Sequence, residues 1–95
     1  MTNEAMGRIK EALQNIIYAR TRLSNLQMGF ETKKHQVRVA LYAQKESGER
    51  KLTEEQIRSI SMVECESENK AFLEAHSDYD NAKELLDVLK LIASN

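Results

Sequence analysis

Apolar residues recur along the first half of the chain at spacings of three, four and seven, through Met6, Ile9, Leu13, Ile16, Leu23, Phe30, Val37 and Leu41. That spacing predicts a helix with a heptad seam. One file of the seam (Ile9, Ile16, Leu23, Phe30, Val37) is wholly apolar, whereas the other (Met6, Leu13, Arg20, Gln27, Lys34, Leu41) turns polar at its middle. The helix is predicted over about 4–45. The pattern stops in Glu46-Ser47-Gly48-Glu49-Arg50-Lys51, where Gly48 suits the positive-φ position just past a helix end. Thr53 with Gln56 three residues later forms a capping-box signature, and Glu54 and Glu55 fall where the helix dipole favours acids. A second helix is therefore predicted over about 53–93. It begins with Ile57 and Ile60, passes through the polar segment Glu64 to Lys70, and continues on a seam of Phe72, Ala75, Tyr79, Ala82, Leu86, Leu89 and Ala93.

Two helices of similar length joined by a turn over 46–52 predict an all-α fold, an antiparallel helical hairpin of coiled-coil type forming one domain over 1–95. Folding about Glu49 sets Ile9, Leu13 and Ile16 opposite Leu89, Leu85/Leu86 and Ala82 as core. It also sets Arg20 near Asp78, and Lys34 near Glu64 and Glu68, so opposite charges meet where the apolar file fails. In the alternative, Gly29 breaks the first helix and three or four shorter helices close a bundle. A hairpin buries one stripe per helix and leaves Ile17, Leu26, Met28, Leu73, Leu85 and Leu91 partly exposed, which predicts assembly as a homo-oligomer.

Composition agrees with one small helical domain, since the 95 residues include no proline and are 41% hydrophobic. The single cysteine, Cys65, excludes an intramolecular disulfide framework. The start Met-Thr-Asn-Glu lacks the basic and apolar regions of a signal peptide, so a cytoplasmic protein is expected. No apolar run approaches the roughly 18 to 20 residues of a membrane span, and no membrane partner is expected.

Charge changes the picture most. Residues 1–51 carry ten Lys/Arg against five Asp/Glu, and residues 52–95 carry four against ten, so a net charge of −1 conceals a sharp split. Arg20, Arg22, Lys33, Lys34, Arg38, Lys45, Arg50 and Lys51 cluster in one stretch, the place to expect a polyanion.

Catalytic chemistry has little material. His35, Cys65 and His76 are isolated from one another, so no metal site is predicted, and Glu64, Glu66 and Glu68 alternate around a helix. No glycine-rich phosphate loop or nucleophile motif is present, and neither enzymatic activity nor a cofactor is expected. Nucleic-acid binding has better support. Arg38, Tyr42 and Lys45 lie at i, i+4 and i+7, sharing a helical face that leads into Arg50 and Lys51. Cations that track a backbone beside a ring that stacks on bases hold single strands without reading sequence.

With those residues in view, the segment Val39 to Lys51, a basic helix end and glycine turn, resembles the phage recombination mediators of the T-even type. The later segment Tyr79-Asp80-Asn81-Ala82-Lys83-Glu84-Leu85-Leu86 is similar to their final Tyr-x-x-Ala/Leu-x-x-Leu-Leu pattern, and the likeness covers about residues 33–92. The resemblance implies a homo-oligomer that binds single-stranded DNA and helps load a recombinase by displacing single-strand-binding protein. It places DNA contacts on Lys45, Arg50 and Lys51, with Arg38 and Tyr42 beside them, and assembly on Leu85, Leu86, Leu89 and Ile92. Two other readings stay open: a structural or adaptor coiled coil whose charge split fixes helix pairing, and an oligomer that sequesters an anionic nucleotide through Arg20, Gln27 and Lys34.

Overall fold

The computed structural model describes residues 2–94, so the outermost residues of the expected 1–95 domain lie outside the described residues. Those residues form three α-helices and no strand: α1 (Asn3–Ser47), α2 (Glu54–Glu64) and α3 (Glu66–Ser94). Helix α1 starts behind Thr2, whose hydroxyl accepts the Ala5 N–H at 3.1 Å, and carries Glu4 in its first turn and Lys45 in its last, both complementing the helix dipole. It runs unbroken through Gly29, so the Gly29 interruption is not observed. Gly48 takes φ +80 and ends the helix, with its N–H on the Lys45 carbonyl at 3.3 Å and the Arg50 N–H on the Gln44 carbonyl at 3.4 Å.

Thr53 caps α2 as the sequence requires. Its hydroxyl accepts the Gln56 N–H at 3.1 Å while the Gln56 side chain accepts the Thr53 N–H at 2.9 Å. The helix expected over about 53–93 is, however, interrupted at Cys65. Buried Ser61 donates its hydroxyl to the Ile57 carbonyl at 2.7 Å, a back-bond that bends helices, and Cys65 turns to φ −103, ψ 16. Bonds from the Cys65 N–H to the Ser61 carbonyl and from the Asn69 N–H to the Cys65 carbonyl still cross the break, which is therefore local.

The contacts of the chain gather into two compact units, one of residues up to Asn25 with those from Leu73, the other Leu26–Phe72. In the first unit Ala12, Ala75 and Leu86 are buried, Ile9, Ile16, Leu23 and Leu89 are half-buried, and Arg22 pairs with Asp78 at 2.9 Å. In the second, Leu41, Leu52 and Ile57 form a core with Val37 and Ile60 packed on it. Phe30 and Phe72 stack there with ring centroids 6.2 Å apart, and Lys33 pairs with Glu68 at 2.7 Å.

Two seam expectations are corrected by these contacts. Asp78 and Glu68 are the predicted acids, but their cations are Arg22 and Lys33 rather than Arg20 and Lys34; Lys34 instead lies 5.0 Å over the Phe30 ring. The cause is the second file of the α1 seam. Met6, Leu13, Arg20 and Gln27 are exposed, whereas Ala12 is buried and Ala5, Ala19 and Leu26 are half-buried, so the first part of the helix presents its alanine file inward; Lys34 and Leu41, the last members of the predicted file, are half-buried and buried. In the second helical stretch the predicted seam from Phe72 to Ala93 is the less exposed face, and it extends back through Glu68, Cys65, Ser61 and Ile57.

Candidate nucleic-acid interface

The last turns of α1 and the first turns of α2 bring most of the sequence-predicted residues together within the Leu26–Phe72 unit. Leu41, Leu52 and Ile57 bury the inner face of this region, so Arg38, Tyr42 and Lys45, spaced along α1, keep access to solvent. Tyr42 is 39% exposed, which leaves part of its ring available for stacking. Arg50 and Lys51 are exposed in the segment between the helices. Arg50 borders a shallow hollow of about 590 Å³ with Leu52, Thr53, Glu55, Gln56, Ser59 and Ile60.

Glu54, the first residue of α2, organises the site. The Tyr42 hydroxyl donates to its Oε2 and the Lys45 ammonium donates to its Oε1 at 3.4 Å. The Tyr42 hydrogen bond holds the Glu54 carboxyl below its ordinary range, with Lys45 acting in the same direction against partial burial. Reciprocally, losing that bond on ionisation keeps the Tyr42 phenol above its ordinary value. Arg38 and Arg58 stand near enough to act on Tyr42 by charge, and a hollow of about 90 Å³ is lined by Arg38, Tyr42, Glu54, Ile57 and Arg58.

Arg58 and Glu54 are the members that sequence reasoning missed. A signal was present, because Arg58 follows Glu54 by four residues and so shares its helix face. Of the positions assigned to core or assembly, Leu86 is buried and Ile9, Ile16 and Leu89 are half-buried, while Leu13, Leu85 and Ile92 remain 43%, 52% and 65% exposed. Cys65 is buried, His76 pairs with Asp80 at 3.2 Å, and among the described residues no group of three His, Cys, Asp or Glu is placed to hold a metal. No helix among the described residues is long and apolar enough to cross a membrane.

Comparison with protein-family models, with curated proteins and with solved structures finds no match for the chain.

Proposed function

We propose that the protein is an antiparallel helical hairpin that self-associates and binds single-stranded DNA without sequence preference through the end that carries its turn. The observation that carries this reading is the grouping of Arg38, Lys45 and Arg58 with the half-exposed Tyr42 about Glu54, beside a connecting segment that exposes Arg50 and Lys51. Among the described residues, Arg38, Arg50, Lys51 and Arg58 make no ion pair. Unpaired cations release counterions when they meet phosphates, and a ring that accepts a base contributes ~1–3 kcal/mol. Repetition of the patch in an oligomer multiplies this affinity along one strand. Assistance to a recombinase, through displacement of single-strand-binding protein, rests on the resemblance to phage recombination mediators.

Fluorescence anisotropy with a labelled oligonucleotide at about 50 mM salt tests the reading, because electrostatic binding is strong there. Joint replacement of Lys45, Arg50 and Lys51 by Gln is expected to weaken binding to about the same degree for every sequence and to flatten its salt dependence. No binding by the wild-type protein at micromolar concentration overturns it.

A second reading, a structural or adaptor coiled coil, is favoured by a different observation. Arg22–Asp78, Lys33–Glu68 and Lys45–Glu54 each join a cation of the basic half to an acid of the acidic half, so the charge split also serves internal pairing. Under that reading the protein assembles normally and ignores the oligonucleotide.

A further inference from the structure

Glu54 lies among Tyr42, Lys45, Arg38 and Arg58, donors and cations of the kind that hold a phosphate. We propose that its carboxylate is an internal stand-in for that phosphate, which a strand must displace before Tyr42, Lys45, Arg38 and Arg58 can hold it. The inference rests on the single-strand-binding reading above and adds to it a built-in competitor.

The geometry has the character of an occupied anion site. One carboxylate takes both a phenol hydrogen and an ammonium hydrogen, and two guanidinium groups flank it across a hollow of about 90 Å³. That is room for about three waters, the size class of a single tetrahedral oxyanion. Three cations against one carboxylate leave the cluster positive, so it still attracts an anion from solution. The ion-pair part of this hold is weak. The side chains of Glu54 and Lys45 are 64% and 40% exposed, and pairs at such exposure contribute little beyond what water and salt offer. A phosphate that brings two or three acceptor oxygens therefore competes effectively, and the neutral Tyr42 phenol stays available as a donor throughout the neutral range, consistent with the upward shift that Glu54 imposes on it.

Displacement leaves a signature in salt dependence. In the wild-type protein Lys45 already has a counter-charge, so its contact with a phosphate releases less than a full counterion equivalent. Removing the Glu54 charge restores that release and steepens the slope of log affinity against log salt by about 0.7 for each added phosphate contact on a single strand.

The experiment is oligonucleotide anisotropy across a salt series for the wild type, Glu54→Gln and the control Glu46→Gln. Glu46 lies one residue from Lys45 on α1, and its change removes the same formal charge from an exposed position. Glu54→Gln is expected to bind about three- to tenfold tighter with a steeper salt slope, Glu46→Gln to stay within about twofold of wild type, and Arg38→Gln/Arg58→Gln added to Glu54→Gln to abolish the gain. Circular dichroism confirms that each variant remains helical, and Glu54→Ala serves as a second variant should Glu54→Gln lose its fold. Wild-type binding with no gain in Glu54→Gln, or an equal gain in Glu46→Gln, overturns the stand-in role and leaves single-strand binding standing. No binding by the wild type at micromolar concentration overturns both, whatever Glu54→Gln does.

Discussion

Glu68 and Glu54 carry contacts whose strength depends on ionisation. The Lys33 ammonium holds the Glu68 carboxyl below its ordinary value of 4.5, as Tyr42 and then Lys45 do for Glu54. A depressed folded-state value means that the folded chain binds fewer protons than the unfolded one. The associated stability is present above the ordinary carboxylate value and is lost as pH falls through it into the lower folded range. The alkaline side has the opposite sign: Lys33 is raised above 10.5 by Glu68 and Tyr42 above 10.0 by Glu54, so their contribution is present below those values and is lost as pH rises through the folded ones. The urea midpoint of the wild type should accordingly decline on both flanks, and Glu68→Gln should flatten both declines by removing the Lys33 pair. An unchanged profile in Glu68→Gln would show that the pair has no share in stability. All four groups reach solvent, so the effect is small and weakens further in salt.

At the scale of the element, two glycines sit in opposite situations. Gly29 lies inside α1 with ordinary helical φ and open space where a Cβ would go, so Gly29→Ala should stabilise by about 0.5–1 kcal/mol through the reduced entropy of the unfolded chain. Gly48 also has open space but holds φ +80, so Gly48→Ala should destabilise by about 1–2 kcal/mol because an L side chain strains there. Urea unfolding of both variants checks the pair, and shifts of the same sign would contradict the assigned backbone conformations. The break at Cys65 lies one turn beyond Ser61, which is fully buried and satisfies its hydroxyl on the Ile57 carbonyl, a back-bond of the kind that bends helices.

At the scale of the whole molecule, the proposed self-association needs apolar surface that the monomer leaves open. Leu13, Leu85, Leu91 and Ile92 supply it, each at least 43% exposed. Leu13→Asp combined with Leu85→Asp should sediment as a monomer while retaining its helical circular dichroism, since neither position is a core residue. Leu86→Asp offers the contrast: this residue is 7% exposed, and a buried unpaired carboxylate there should unfold the chain rather than dissociate it. A double variant that keeps the wild-type sedimentation coefficient would exclude this surface as the interface.

Much of this was determined by the sequence alone, because the deciding interactions are local. The capping box of Thr53 and Gln56 spans four residues, and the helix stop at Gly48 depends on one φ angle. The seam from Phe72 to Ala93 is plain from its period, as large apolar residues there alternate with alanines on one face. Tertiary structure decided what local pattern leaves degenerate. In α1 either Met6, Leu13, Arg20 and Gln27 or Ala5, Ala12, Ala19 and Leu26 can flank the file of Ile9 and Ile16, and the large side chains of Met6 and Leu13 favour the wrong set. Packing in the first part of α1 favours the alanine file, where small side chains allow close approach and no arginine or glutamine needs burial, and the ion pairs fall to Arg22 and Lys33 in place of Arg20 and Lys34. The same limit hid Glu54 and Arg58 from the reading of the basic face. Their sequence neighbours announce only a helix start, and it is the fold that sets their charges beside Arg38, Tyr42 and Lys45.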